Sequence, residues 1–140
     1  MDYKIKKIKK FSDKRGDLIV FLKQSDLDKK DQQFGQIYFV TFKNKNVIRG
    51  NHYHLKWREW FGVVSGKVKA KLKDIKTGEE KTLYLDSNEN EYVLLEIGPY
   101  IAHAFQSVTN EAQLLNYANA EWSQEDCLTH KLIEFSGNKK

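Results

Sequence analysis

The sequence predicts an all-β fold, a sandwich or barrel of short strands. Short apolar and aromatic runs recur between turn signals at intervals of about ten residues. Almost no stretch repeats apolar residues at helical spacing. The clearest single segment, Lys67 to Ile75, alternates strictly, with Val68, Ala70 and Leu72 on one face and lysines on the other. That pattern belongs to an antiparallel strand with one solvated face.

In chain order, Tyr3, Ile5, Ile8 and Phe11 are spaced too irregularly for a helix and suit a first edge strand. The Asp and Gly of Phe11-Ser-Asp-Lys-Arg-Gly-Asp17 mark a turn, and the apolar run Leu18 to Leu22 reads as a buried strand. Residues 23 to 33 are polar, a loop or one helical turn. Aromatic and β-branched residues make a strand of Gln36 to Lys43. Val47 to His54 and Glu59 to Val64 follow as strands, then the alternating segment, a hairpin turn at Lys76 to Glu79, and a return strand from Lys81 to Leu85. Tyr92 to Ile97, Ala102 to Ser107 and Ala112 to Asn119 complete the strands, with Gly98-Pro99 breaking the chain ahead of His103. No internal repeat or low-complexity tract interrupts this order.

The 140 residues suit one domain spanning 1–140, large enough to bury a core without staples. The single cysteine, Cys127, excludes an internal disulfide framework and reads as a passive, partly buried thiol. No apolar run approaches the roughly 20 residues that cross a bilayer, and the N-terminal lysines do not form a signal peptide, so a cytoplasmic protein without membrane contact is expected. The net charge of +5 is spread over lysines not interleaved with aromatics, which argues against nucleic acid and for solvated strand faces. A phosphate-bearing small substrate would also benefit from the positive field.

Chemistry concentrates between Ile48 and Gly66. His52 and His54 are two residues apart, so on a strand both imidazoles point to one face. Glu59 follows, and His103 sits in a second segment behind the Gly98-Pro99 break, placing three of the four histidines as candidates for one pocket. His130 reads as a surface residue.

The series His52, His54, Glu59, Gly66, then Gly98, Pro99 and His103, resembles the two signature motifs of the cupin superfamily. The first motif fits closely. In the second, Ile101 stands where a glycine is usual. A narrower similarity runs along nearly the whole chain, through Asp13-x-Arg15-Gly16-x-Leu18, Gln36-Ile-Tyr-Phe-Val40, Arg49-Gly-Asn-His-Tyr-His54 and Gly98-Pro-x-x-x-His103. It resembles the sugar-nucleotide branch: dTDP-4-dehydrorhamnose 3,5-epimerases, dTDP-4-keto-6-deoxyglucose 3,4-ketoisomerases, and the cupin of a capsular polysaccharide reductase. Position 54 is His where the 3,5-epimerases carry Gln. Ketoisomerases carry the second histidine and a lysine, which His54 and Lys56 follow, but usually Gln in place of Glu59. The reductase cupin shares Arg-Gly-Asn-His-Tyr-His and the acid, and is thought to use a metal.

The resemblance implies an RmlC-like cupin jelly roll and a homodimer acting on a dTDP-linked or other nucleotide-linked sugar, with no cofactor and no metal. Moving a ketone from C4 to C3 removes the acidic C3 proton, passes through an enediol and returns a proton at C4, work that His52 and His54 can divide. Tyr38 would donate to the developing enolate. Arg15, in its own or a neighbouring subunit's site, and Arg49 would hold the diphosphate, with Asn51, Glu59 and His103 as further substrate contacts and Trp57, Trp60 or Tyr100 stacking on base or sugar. Glu59 is the pivot: facing the pocket beside three imidazoles it makes a first shell for Zn, Fe, Ni or Mn, and facing solvent it leaves the histidines as acid and base. Three other readings stay open: an epimerase of a nucleotide-linked 4-keto sugar, a non-enzymatic sugar-nucleotide or metal-binding cupin, and a metal-dependent oxygenase.

Overall fold

The computed structural model describes residues 1–134. The strands are β1 (Tyr3–Lys9), β2 (Phe11–Asp13), β3 (Gly16–Leu18), β4 (Gln36–Phe42), β5 (Ile48–Tyr53), β6 (Glu59–Ser65), β7 (Lys67–Asp74), β8 (Glu80–Asp86), β9 (Glu91–Ile97), β10 (Ile101–Ser107), β11 (Ala112–Ala118) and β12 (Leu128–Thr129). One five-stranded sheet runs β1-β9-β6-β11-β4 and the other β12-β5-β10-β7-β8; β2 and β3 form a separate hairpin. All pairings among the described residues are antiparallel, and from β4 onward, apart from the β7–β8 hairpin, consecutive strands alternate between the two sheets, as in the expected jelly roll.

The alternation in β7 is realised: Val68, Ala70 and Leu72 are fully buried, while Lys67, Lys69, Lys71 and Lys73 stay partly exposed. Burying a Val or Leu side chain contributes about 1.5–3 kcal/mol, so the pattern sets which face of β7 turns inward. Phe42, Phe61, Leu95, Ile97, Ile101, Phe105 and Leu114 bring both sheets into the same core.

Leu18 to Leu22 departs from expectation. Only Leu18 belongs to a strand, the short one paired with β2, and residues 19 to 22 lie outside the ladders. Phe21 and Leu22 instead pack on Trp60, Leu94 and Tyr117, on the outside of the first sheet. The apolar run is used as a strap that covers a sheet by side-chain burial, a role that composition alone does not separate from a strand. Residues 23 to 33 hold two 3₁₀ turns, Gln24–Asp26 and Lys29–Asp31. Cys127 is a free, half-buried thiol. No helix is long and apolar enough to cross a membrane.

One irregularity positions the site. His103 of β10 faces His52 of β5, but the next residue, Ala104, faces Gly50, so Asn51 is skipped. Gly50 and Asn51 take left-handed backbone, with φ of 98° and 60°. Gly50 has no substitute here, because a Cβ would lie 2.8 Å from the carbonyl oxygen of His103. The extra residue is a β-bulge, and it puts Arg49, opposite Phe105, on the same inner face as His52.

Candidate active site

A cavity of about 450 Å³ opens between the two sheets. β5 and the residue after it supply Arg49, His52 and His54, β10 supplies His103, and β4 supplies Tyr38 from the facing sheet. Glu59 starts β6 and is 2% exposed, beneath the histidines. Its Oε2 lies 3.2 Å from Nε2 of His103 and 3.5 Å from Nε2 of His54. Its Oε1 accepts from the Asn116 amide at 3.3 Å.

Two imidazoles are tied from behind. Nδ1 of His103 lies 3.0 Å from the carbonyl of Ile101, and Nδ1 of His54 contacts the carbonyl of Asp126. A carbonyl only accepts, so the Nδ1 atoms carry protons, and a neutral ring then turns its Nε2 lone pair toward the carboxylate. Trp57 stacks on His54 at 4.4 Å and 12°. His52 differs. No protein hydrogen bond fixes its ring among the described residues; it stands edge-on to His103 at 4.9 Å and 5.0 Å from His54.

The electrostatics follow from this crowding. Burial first, then the neighbouring imidazoles, lower His52 to about 4, so it is neutral at physiological pH. His54 is also lowered, mainly by burial, against the pull of Glu59. Burial alone would raise the Glu59 carboxyl, but contact with His103 and the fields of all three histidines outweigh it and hold it below the usual carboxylate range. Tyr38 is raised, by burial first and then by the Glu59 charge, and stays a phenol that can donate.

The cluster is therefore rich in acceptors. Nε2 of His103 is buried and lacks an aligned hydrogen bond, although Oε2 is 3.2 Å away. Two lone pairs beside a carboxylate call for a positive charge between them, either a proton or a metal ion. The donor set suits a metal: ligand atoms of His52, His54 and His103 lie within 4.8 Å of one another, and ligands about 2.1 Å from a tetrahedral zinc ion sit roughly 3.4 Å apart, so the rings would draw together by up to about an ångström to close the shell. Glu59 stands behind this triad, beside Nε2 of His54 and His103. The geometry thus places Glu59 in the arrangement in which a metal was expected, whereas the likeness to metal-free isomerases implied none.

Of the residues expected here, His52, His54, His103, Glu59, Tyr38 and Arg49 are brought together, and Trp57 lines the cavity through its contact with His54. Others are not. Asn51 points away as the bulge residue: its Oδ1 accepts from the N–H groups of Leu132 and Ile133, at 2.8 and 3.1 Å, and its amide donates to the Ile133 carbonyl. Arg15 sits at the tip of the β2–β3 hairpin with its side chain 85% exposed and paired to Asp13. Trp60 packs on Tyr117 on the far side of its sheet, Tyr100 lies under the Lys76 ammonium, and Lys56 is exposed. His130 meets Tyr53 outside the cavity. Three residues escaped the sequence reading. Gln36 and Trp122 line the mouth, with the Trp122 N–H bonded to Gln36 Oε1, and Asn116 holds Glu59; Gln36 at the head of an aromatic strand was the available signal.

Known proteins with this architecture are informative. A histidine-to-asparagine variant of the 3,4-ketoisomerase QdtA from Thermoanaerobacterium thermosaccharolyticum, solved with TDP-4-keto-6-deoxyglucose, is 26% identical, with a TM-score of 0.75 over 91% of this chain and 86% of that one. A dTDP-sugar isomerase from Desulfovibrio desulfuricans superposes at a TM-score of 0.80 with 20% identity, over 93% and 84% of the two chains. The 3'-monoepimerase ChmJ from Streptomyces bikiniensis reaches 0.78 at 16% identity, covering 91% of this chain and 68% of its own. No curated protein matches the sequence. The family model described as polysaccharide biosynthesis C-terminal domain matches residues 11–130. The chain has the RmlC-like cupin jelly roll and belongs to the polysaccharide biosynthesis C-terminal domain family.

Proposed function

We propose that the cavity isomerises a nucleotide-linked 4-keto-6-deoxy sugar, as a dTDP-4-keto-6-deoxyglucose 3,4-ketoisomerase of surface polysaccharide synthesis such as O-antigen. One observation carries the reading: His52 is neutral, unanchored and turned into the cavity, with the buried Glu59 charge close behind. The C3 hydrogen of such a sugar is acidic because the ketone stands at C4. His52 takes that proton, the electron pair moves to O4, and Tyr38, facing it from the other sheet, donates to the developing oxyanion. The enediol collapses when the C3 hydroxyl gives up its proton and C4 receives one, leaving the ketone at C3. Nothing is oxidised or reduced overall, so no co-reactant is needed. A metal held by the three histidines would supply Lewis-acid polarisation of the ketone.

Arg49, at the rim, suits the diphosphate, and the half-exposed Trp122 ring at the mouth suits stacking on base or sugar. Arg15 reaches a diphosphate only across a subunit boundary. A homodimer would provide that boundary and would cover apolar groups exposed on the hairpin (Phe11, Leu18) and on or near edge strand β4 (Phe34, Ile37, Phe39). The likeness to QdtA supports the substrate class. We place the reaction in the cytoplasm.

A second reading, epimerisation at C3, is favoured by the placement of Tyr38 on the sheet opposite His52, since epimerisation returns the proton to the other face. Incubation with dTDP-4-keto-6-deoxyglucose in heavy water separates the two. Deuterium at C4 with the ketone at C3 is the expected result, and it should be lost, by about a thousandfold in rate, in His52→Asn. Deuterium at C3 or C5 with the ketone still at C4 identifies an epimerase. No exchange at any position, with His52→Asn behaving like the parent, would overturn both.

A further inference from the structure

Asp126 closes the 3₁₀ turn Gln124–Asp126, beyond the last long strand and 72 residues from His54. It is nevertheless 8% exposed. Its carboxylate accepts from the Leu55 N–H at 2.6 Å and from the Lys56 N–H at 3.2 Å. Its backbone carbonyl takes the Nδ1–H of His54. Its own N–H turns back to the carbonyl and hydroxyl of Ser123, at 3.1 and 3.3 Å. One residue thus grips three in succession, the ring of 54 through its main chain and the backbone of 55 and 56 through its side chain.

A residue that merely capped the turn at 55–56 would need only the carboxylate. The carbonyl does something else, because it works against the local preference of the imidazole. Left alone beside Glu59, a neutral His54 would place its proton on Nε2 and donate to the carboxylate 3.5 Å away, a charge-assisted bond stronger than one to a carbonyl. The lone pair would then leave the cavity. Trp57, stacked on the ring, keeps it from swinging out of the carbonyl's reach.

We infer that Asp126 is a positioning residue that locks His54 in the Nδ1–H tautomer and so presents its Nε2 lone pair to the cavity. The carboxylate fixes where the carbonyl stands, and the carbonyl fixes where the proton sits. The kinetic consequence rests on the function proposed above; the tautomer is a property of the free chain.

Nitrogen-15 spectra of the histidines, recorded on the full chain in EDTA at pH 8, read the tautomer directly. His54 in the parent is expected as Nδ1–H. Asp126→Ala should move it toward Nε2–H and lower kcat at least tenfold with KM within twofold. Asp126→Asn keeps an acceptor for both N–H groups and should restore the Nδ1–H form and most of kcat. An Nε2–H ring in the parent overturns the inference, as does an Ala variant that keeps Nδ1–H while its activity falls only in step with Tm. Should the Ala variant not fold, the parent and Asn spectra decide, and loss of the Nδ1–H form in the Asn variant also counts against it. A parent inactive on 4-keto sugars but showing the tautomer shift would remove the proposed function alone; an unshifted tautomer in an active enzyme would remove this inference alone.

Discussion

Two concave regions of this molecule carry the residues that sequence reasoning assigned to substrate binding, and they differ in how their charges are satisfied. The hollow along Lys9 to Leu18 is the larger, about 720 Å³, and is ringed by Lys9, Lys10, Asp13, Arg15 and Asp17. Its charges answer one another in water: Arg15 reaches Asp13 at 2.6 Å, and that contact lowers the Asp13 carboxyl. Exposed pairs of this kind hold little back for a ligand. In the histidine cavity the polar atoms are buried and pulled from behind by Ile101, Asp126 and Asn116, so their front atoms face one another without being neutralised. Size and charge count do not mark a site; unsatisfied, rigidly held polar atoms do.

The contrast is broken most directly at Glu59. Glu59→Gln keeps the shape and removes the buried negative charge that lies against His54 and His103. Turnover should fall about a hundredfold with the fold retained. Metal analysis of parent and variant tells which cation the cluster holds: stoichiometric metal in the parent that disappears in the variant identifies a metal, and equal low content in both identifies a proton. Activity unchanged in Glu59→Gln would make the cavity no different from the hairpin hollow.

Next is Asn51→Ala. Three hydrogen bonds to Leu132 and Ile133 are lost, and alanine must hold a left-handed φ of 60°, so stability should drop by about 2–3 kcal/mol in urea unfolding. Activity per folded molecule should stay within about threefold. A tenfold rise in KM instead would return Asn51 to the substrate.

Between pH 7 and 4 acid should act mainly on the cavity, because the lowered Asp13 carboxyl of the hairpin responds chiefly below its ordinary 3.8. His52 has a folded pKa near 4 against 6.5 unfolded. The unfolded chain therefore binds the extra proton first, so this group's contribution is complete above pH 6.5 and is lost as pH falls from there towards 4. Glu59, lowered in the fold, adds loss in the same direction as pH falls below its ordinary 4.5. Stability measured from pH 7 to 4 should decline more steeply in the parent than in His52→Gln; parallel curves would deny the burial of His52 its cost. Arg15→Ala should have the smallest effect, a KM rise of about fivefold through a second subunit with Tm unchanged, and a KM that does not move would leave Arg15 a surface residue.

The strands were readable because burial and alternation coincide, most clearly at Val68, Ala70 and Leu72. The run Leu18 to Leu22 was not, because a strap and a buried strand have the same composition. His52, His54 and His103 could be grouped from spacing and from a Gly-Pro break. Asn51 was misassigned for a physical reason: a motif gives the order of residues, whereas a bulge decides which of them turn inward. Asp126 left no local trace, since it acts on His54 through a main-chain atom that every residue possesses.

The skipped residue in β5 has one more consequence. Along a strand, side is a matter of odd and even, and Arg49 and His52 are of opposite parity. The Gly50-Asn51 step shifts the phase by one, so a cation and a base that ordinary pleating would separate look into the same space. Pairing the same residues in a regular ladder, with Asn51 in register and not skipped, would leave every side chain chemically present while sending either the arginine or the histidines to the wrong side of the sheet. In this protein the Arg-Gly-Asn-His sequence works first as a phase marker, and the reactive groups downstream depend on its being kept.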